Sequence, residues 1–330
     1  MPTIHFEPDG KDVVAAGAET ILTASLRAGI PHTHACGGQA RCSTCRVSIE
    51  EGSDACAPRS ERESALSERL RFSPEVRLAC QTTVGGDIRV RRLVIDDEDV
   101  RFARQIAEGR GPASIGEEKE LAILFADIRG FTPLSESLPP YDVIYVLNRY
   151  FNHMGRVISA HGGQIDNYMG DGLMALFGLD DAPDAVFRAV GAGLGMIEEV
   201  ARMRPHFEAL YGEGFRIGVG VHYGEVVVGT VGASGRRRMT AIGDAVNFAS
   251  RIESANKEYG TELLVSEEAY RCAESRVVVG RRIEGAAIKG KSGRHALYEV
   301  KCLSQPDAGD VQSAHTPSGA KEVIRVAGER

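Results

Sequence analysis

The 330-residue sequence has no apolar run approaching the roughly 18 residues that a membrane-spanning helix needs. It also lacks a basic N-terminal start followed by an apolar core, so we expect no secretory signal peptide. The net charge is −7, and without an excess of basic residues a broad nucleic-acid-binding surface is not expected. These absences predict a globular protein of the cytoplasm that has neither a membrane nor a nucleic acid as partner.

The length exceeds that of one ordinary domain and predicts two domains joined by a linker. We place the first domain at residues 1–93, where short strand patterns surround one helical segment that Thr20 caps and Gly29 ends. An acidic and then mixed segment at 94–118 is the predicted linker. A second domain is expected at 119–300, and 301–330 has the composition of a disordered tail.

The second domain alternates strands and helices. A buried strand, ELAILFADI, is followed by an amphipathic helix and then by QIDNYMGDGLMALFG, whose central Gly-Asp-Gly predicts a hairpin. After another helix, FRIGVGVHYGEVVVGTVG predicts two further strands, and AIGDAVNFASRIESANKE predicts a helix capped by Asp244. This order indicates an α+β fold with helices on one face of a mostly antiparallel sheet.

Five of the seven cysteines lie in the first 80 residues, which indicates metal or redox chemistry where no export signal favours disulfides. Cys36, Cys42 and Cys45 cluster in HACGGQARCSTCRV, and Cys80 follows in VRLACQ. Four thiolates suit a [2Fe–2S] cluster, and Gly37 and Gly38 suit a loop that brings N–H groups to its sulfides. Zinc and unliganded buried cysteines are the alternatives; zinc more often takes two close cysteine pairs.

The segment 1–93 resembles the [2Fe–2S] ferredoxins, which have a β-grasp fold. The resemblance rests on the AGI that ends the helix, on CGGQARCSTC and on RLACQ. The five residues between the first two cysteines are similar to the adrenodoxin-like branch, whereas plant-type ferredoxins have four. The resemblance implies a cluster held by Cys36, Cys42, Cys45 and Cys80.

Two aspartates in the second domain are candidate metal ligands. Asp127 ends an apolar run, where it would alternatively cap the next helix, and Asp171 lies at the hairpin tip, where it would alternatively be a turn residue. Together they would suit Mg²⁺ or Mn²⁺, and hence phosphates. The N–H groups of Gly130, Phe131 and Thr132 would then cradle a polyphosphate.

Asn247 and Arg251 are four residues apart on a predicted helix and therefore share a face. A solvated face is the alternative interpretation, and the neighbouring residues do not decide between the two.

From about 119 to 299 the chain resembles the class III nucleotidyl cyclase catalytic domain, a ferredoxin-like βαββαβ sandwich. The matching segments are LFADIRGFT, HGGQIDNYMGDGLMALFG, GVGVHYGEVVVGTVG, TAIGDAVNFASR and IKGKSG. The resemblance implies two metal ions held by Asp127, Asp171 and the carbonyl of Ile128. It further implies that Asn247 orients the ribose, that Arg251 stabilises the transition state, and that Lys289 or Lys291, with Lys289 preferred, contacts the phosphates.

Two positions of the family read the purine base, and here they are Asn167 and Thr240. The Asn amide would donate to adenine N1 and the Thr hydroxyl would accept from the adenine amino group, so we favour ATP over GTP. The family shares each active site between two subunits, which implies a head-to-tail homodimer. The expected protein is an adenylate cyclase (a phosphorus–oxygen lyase) that makes 3′,5′-cyclic AMP and pyrophosphate and is regulated through its cluster by an electron donor or redox signal.

Three alternatives remain open at this point. One is an electron-transfer ferredoxin that carries a weakly active or inactive cyclase-like dimerisation module. Another is a guanylate cyclase. The third is a constitutive cyclase whose cluster is purely structural.

Overall fold

A computed structural model of the chain describes residues 1–94, 116–180, 183–212, 214–232, 236–288, 291 and 293–304. Most of the predicted linker, most of the predicted tail and Lys289 lie outside these residues. No helix among the described residues combines the length and the apolar composition required to cross a lipid bilayer. The chain forms two units, one made of Met1–Lys119 with Val226–Gly243, the other of Glu120–Glu225 with the chain from Asp244 onward.

The first unit contains a five-stranded sheet with α1 and α2 as its helices. The parallel pairing of β1 with β5, inside an otherwise antiparallel sheet of order β2-β1-β5-β3-β4, is the β-grasp arrangement expected from the sequence. The hydroxyl of Thr20 accepts a hydrogen bond from the N–H of Thr23 at 3.2 Å and caps α1 as predicted. The elements are β1 Thr3–Glu7, β2 Lys11–Val14, α1 Ile21–Arg27, β3 Arg46–Glu51, α2 Glu61–Leu70, β4 Val76–Leu78 and β5 Ile88–Arg92.

Helix α2 is absent from the sequence prediction. Its periodicity is hidden because the residues it buries are polar, Glu63 and Ser67. The signal that would have found it is the capping box, in which the Ser60 hydroxyl accepts from the N–H of Glu63 at 3.2 Å.

A buried ion pair fixes α2 against β4. Arg77 donates from Nε and Nη2 to the two carboxylate oxygens of Glu63 at 2.9 and 3.0 Å, and the N–H of Leu78 donates to the same carboxylate at 2.8 Å. Glu63 is fully buried, so removing either partner would leave an uncompensated charge. The pair holds the chain in place two residues before Cys80.

The second unit is built on a sheet of strand order β12-β13-β11-β9-β6-β8-β7. Strand β8 runs antiparallel to β6 and β7, whereas β11 pairs with β9 in parallel. Helices α4 and α5 cover this sheet over a core that includes Tyr150, Phe177 and Phe207. From residue 117 onward the elements are β6 Glu117–Arg129, α3 Phe131–Ser137, α4 Pro140–Ala160, β7 Gln164–Met169, β8 Gly172–Phe177, α5 Ala185–Tyr211, β9 Arg216–Val231, β10 Arg238–Ile242, α6 Asp244–Tyr259, β11 Leu263–Ser266, α7 Glu267–Ala273, β12 Val277–Ala286 and β13 His295–Leu303. Of these, β10 and the last residues of β9 belong to the first unit.

The prediction of two strands within 215–232 is wrong, because Arg216–Val231 forms one long strand, β9. Gly224, in the middle of this strand, serves close packing. A Cβ there would lie 3.0 Å from Nε2 of His222 and 3.1 Å from Cβ of Ala245. His222 itself is buried and hydrogen-bonded to the Ser266 hydroxyl at 2.8 Å. The strand therefore continues, and its last residues pair with β10 instead.

Helix α6 lies against β9 with almost no space between the two backbones. A Cβ on residue 220 would lie 2.7 Å from Cα of Glu253 and 2.9 Å from the carbonyl oxygen of Ala249. Asn256 adds a hydrogen bond from its side-chain amide to the carbonyl of Val219 at 2.9 Å. Only glycine fits at position 220, so this contact sets the position of α6 along the sheet.

We expect Gly220→Ala to lower the free energy of unfolding by roughly 1–3 kcal/mol, because α6 must move away from β9. A matched control is Gly155→Ala in α4, where the nearest atom, Cδ1 of Ile165, is at an ordinary 3.5 Å. The control should be neutral or stabilising by up to about 1 kcal/mol, since alanine favours a helix interior. Thermal unfolding of both variants checks this, and equal melting temperatures would contradict the close approach.

Candidate cluster site and candidate carboxylate site

The four predicted cluster ligands meet as two pairs. The thiol of Cys36 contacts that of Cys42, and the thiol of Cys45 contacts that of Cys80. The contact with Cys42, aided by nearby backbone N–H groups, lowers the pKa of Cys36 to about 4, and the contact with Cys45 lowers the pKa of Cys80 to about 7. Their partner thiols and burial raise the pKa values of Cys42 and Cys45. In each pair, therefore, one sulfur is stabilised as a thiolate.

The loop that carries these cysteines turns its hydrogen-bond donors toward the sulfurs. Gly37 and Gly38 have φ of +67° and +85°, and Ala40 adopts a φ of +55° that residues other than glycine seldom take. The Thr44 hydroxyl lies 3.2 Å from Sγ of Cys42, and it also accepts a hydrogen bond from a backbone N–H of the loop at 2.8 Å. Donors of this kind stabilise charge on sulfur ligands.

Two thiol pairs fit a [2Fe–2S] cluster, because each of its two irons takes two protein thiolates. A zinc site would instead draw all four thiolates to a single ion. The donor set and the loop geometry therefore suit the cluster, and the two thiol pairs would hold it.

In the second unit, the carboxyl groups of Asp127 and Asp171 are in contact. Asp127 lies near the end of β6, and Asp171 lies just before β8. Burial, followed by the hydrogen bond and the charge of Asp171, raises the pKa of Asp127 to about 7. The N–H of Ile128 donates to Oδ1 of Asp127 at 3.1 Å and partly offsets this effect. Two carboxylates this close share a proton or bind a cation, because both cannot carry an uncompensated negative charge.

Both aspartates line a cavity of about 470 Å³. Gly130, Phe131 and Thr132, the residues predicted to cradle a polyphosphate, line the same cavity. Gly130 adopts a φ of +74° and turns the chain from β6 into α3. The walls are Asp127, Ile128, Arg129, Gly130, Phe131, Thr132, Pro133, Asp171 and Lys257. Oxygen ligands beside a cavity of this size suit a divalent cation with a polyphosphate.

An ion pair beside this cavity escaped the sequence analysis. Nη2 of Arg129 forms an ion pair with Oε1 of Glu253 at 2.7 Å and donates a hydrogen bond to the backbone carbonyl oxygen of the same residue at 3.0 Å. Its guanidinium fills the space above Gly218, where any Cβ would clash with it. Glu253 is buried, and burial raises its pKa while Arg129 opposes the shift. The only sequence signal was a charged residue directly after a buried strand.

Asn247 and Arg251 do not line the cavity that contains Asp127. Asn247 is exposed and Arg251 is half-buried, while Ala249 and Ile252 on the other side of α6 are buried. Within one chain, the two catalytic candidates on α6 therefore face away from the core on which the two aspartates lie.

Of the remaining candidates, Asn167 and Thr240 lie on two different strands, and Lys291 lies outside any helix or strand. Asn167 is half-buried on β7 opposite Met174, whereas Thr240 is buried on β10 opposite Gly229, in the other unit. The ammonium of Lys291 pairs with Asp244 and lies 5.1 Å from the ring centroid of Phe248. Asp244 is the first residue of α6, so its carboxylate holds Lys291 at the start of that helix.

Comparison with known families gives two matches. Residues 114–301 match the adenylate and guanylate cyclase catalytic domain, and residues 4–85 match the 2Fe–2S iron–sulfur cluster binding domain. The second match includes all four paired cysteines.

Two adenylate cyclases are similar to more than half of the chain. The adenylate cyclase of Anabaena cylindrica is 39% identical over 189 residues, which are 56% of this chain and 37% of that protein. Adenylate cyclase 1 of Rhizobium meliloti is 36% identical over 213 residues, or 63% of this chain and 31% of that protein. The chain thus spans only about a third of these relatives.

Two solved cyclase structures share the fold of more than half of the chain. The guanylyl cyclase Cya2 matches with a TM-score of 0.55 and 34% identity, covering 59% of this chain and 98% of that one. The adenylyl cyclase CyaB of P. aeruginosa matches with a TM-score of 0.54 and 33% identity, and the match covers 59% of this chain and 99% of that one.

We expect Cys80→Ser to remove the cluster absorption and lower the iron content per chain, because one iron loses a ligand. Cys56→Ser is the matched control, since that half-buried thiol faces the carbonyl of Gly52 at 4.0 Å and touches none of the four paired thiols. Visible spectra and iron analysis of anaerobically purified variants check this. A full cluster in Cys80→Ser, or its loss in Cys56→Ser, would contradict the assignment.

Proposed function

The chain belongs to the family of adenylate and guanylate cyclase catalytic domains, and on that premise we propose that it is an adenylate cyclase forming 3′,5′-cyclic AMP and pyrophosphate from ATP. The observation that carries the proposal is the contact between the carboxyl groups of Asp127 and Asp171 at the wall of a cavity large enough for a triphosphate. The N-terminal match to the 2Fe–2S domain adds a cluster-binding module to this enzyme.

Asp127, Asp171 and the carbonyl of Ile128 would hold two Mg²⁺ or Mn²⁺ ions. When bound, such ions lower the pKa of the ribose 3′-hydroxyl and neutralise the triphosphate. Arg251 would hold the charge that grows on the α-phosphoryl oxygens, and Asn247 would orient the ribose. The reaction is intramolecular, so positioning by these side chains supplies much of the rate.

The base preference rests on Asn167 and Thr240. An amide donates to adenine N1, and a threonine hydroxyl accepts from the adenine amino group, so both support ATP. Neither side chain carries a charge that would exclude guanine. We therefore propose that the enzyme prefers ATP but discriminates only weakly against GTP.

A head-to-tail homodimer would complete each site. Asn247 and Arg251 lie on the outward side of α6, away from the core that carries the two aspartates, so a second chain would have to present its own pair. Such a dimer contains two identical sites, each with aspartates from one chain and the Asn/Arg pair from its partner.

The cluster is proposed to control the output of the cyclase. Within the first unit, Arg41, the residue before the ligand Cys42, forms an ion pair with Glu118 near the start of β6. The same strand reaches Asp127 nine residues later. A change in the charge of the cluster would alter its electrostatic interaction with Arg41. Through the ion pair with Glu118, this change would reach β6.

The test is cyclic nucleotide formation with Mn²⁺ by one anaerobically purified sample, as isolated and after reduction, with ATP and with GTP. We expect cyclic AMP to exceed cyclic GMP, and turnover to change with redox state and return on reoxidation. Asp171→Asn is the inactive control, and Arg41→Ala should lose the redox effect while keeping turnover. No product from either nucleotide would overturn the proposal; equal rates in both redox states would leave a structural cluster.

A subunit-mixing experiment tests the shared site. Asp127→Ala and Arg251→Ala should each be inactive, and together they should recover about a quarter of wild-type activity, because half of randomly exchanged dimers are mixed and each has one intact site. Cyclic AMP is measured after subunit exchange has been verified with two tags. Absence of recovery in verified mixed dimers would count against sharing.

A further inference from the structure

Helix α6 has a second polar face, opposite the one that carries Arg251. Residues two positions apart on a helix differ by about 200°, so Glu253 lies on the opposite side from Arg251. Lys257 follows Glu253 by one turn and shares its side. This side points back to the aspartates of the same chain, since Lys257 lines their cavity and Glu253 binds Arg129 beside it.

The backbone of α6 that carries Lys257 is held in place by contacts of two preceding residues. Four residues earlier, Glu253 is fixed by Arg129 and by the close contact with Gly220. One residue earlier, Asn256 is buried, donates to the carbonyl of Val219 at 2.9 Å and accepts from the Thr261 hydroxyl at 2.8 Å. The stem of Lys257 therefore leaves α6 from a defined point at the wall of the cavity.

The charges around the cavity identify Lys257 as the cation available to a ligand. Arg129 also lines the cavity, but its Nη2 is engaged by the Glu253 carboxylate and carbonyl. Lys257 is exposed, and no carboxylate among the described residues lies within ion-pair distance of its ammonium. Metal ions on the two aspartates would leave the outer phosphates of a nucleoside triphosphate negatively charged and close to this lysine.

We propose that Lys257 binds the triphosphate, and later the leaving pyrophosphate, in the site formed by Asp127 and Asp171 of its own chain. The inference rests on the proposed function and extends it by one residue outside the family motifs quoted above. It gives α6 two tasks: Lys257 serves the site of its own chain, and Asn247 with Arg251 serves that of its partner.

Steady-state kinetics of the full-length protein tests the role. Lys257→Ala should raise KM for metal-bound ATP about tenfold, the loss expected for one charge-assisted hydrogen bond, and weaken inhibition by pyrophosphate by a similar factor. Turnover should change little, because the contact is the same in the ground state and the transition state. Lys257→Arg should restore KM. Glu258→Gln, at the next exposed position of α6, is the matched control and should leave KM unchanged.

Mixed dimers test which chain supplies the lysine. When an Asp127→Ala chain is paired with an Arg251→Ala chain, the intact site takes its aspartates from the second chain. Lys257→Ala on that second chain should raise KM, whereas the same change on the first chain should not. The reverse pattern would overturn the placement of Lys257 beside the aspartates of its own chain.

Calorimetry with inorganic tripolyphosphate and Mg²⁺ separates this inference from the proposed function. If the wild-type protein binds tripolyphosphate, and Lys257→Ala binds it about tenfold more weakly, the triphosphate-binding role of Lys257 stands even without cyclase activity. If the wild-type protein is active and Lys257→Ala changes neither KM nor tripolyphosphate affinity, the inference is wrong and the proposed function remains. An absence of tripolyphosphate binding by the wild-type protein would also overturn the inference. Equal melting temperatures for wild type and variant exclude a folding defect as the cause.

Discussion

The mutual repulsion of two carboxyl groups is the constraint on which the second unit depends. Asp127 and Asp171 are in contact at a partly buried site, where burial and repulsion together disfavour the doubly charged state. The fold supplies this arrangement by pairing β6 with β8 so that the end of one strand meets the start of the other. A divalent cation, as proposed for this site, would relieve the repulsion.

The first unit follows the same principle with sulfur instead of oxygen. Cys45 and Cys80 are buried together, and one of each pair of thiols has a pKa lowered by the other. The Glu63–Arg77 ion pair fixes the approach to Cys80, and the donors of the loop are already aimed at the sulfurs. Both units thus bring into contact side chains that would repel one another as anions, and surrounding ion pairs and close backbone contacts hold them there.

Sequence patterns predicted the elements whose buried faces are apolar, such as β6, the β7–β8 hairpin and α4. They failed where polar residues are buried, as in α2, and where a glycine serves packing, as at Gly224 in β9. The sequence predicted Asp127 and Asp171 as metal ligands. Their contact depends on the register between β6 and β8, which the sequence did not specify. The Arg129–Glu253 pair joins residues 124 positions apart, and no local pattern links them. The role of Lys257 depends on which side of α6 faces the sheet, and the sequence left that undecided.

The close contact of α6 with β9 at Gly220 has a genetic consequence. If the chain forms the proposed dimer with shared sites, a version lacking only Asp127 or only Arg251 would leave one working site in every dimer that it forms with the intact chain. A version with a displaced α6 would instead disturb the Lys257 of one site and the Asn247 and Arg251 of the other. Changes in catalytic residues would then be partly recessive, whereas changes at Gly220 would be dominant, although residue 220 touches no substrate.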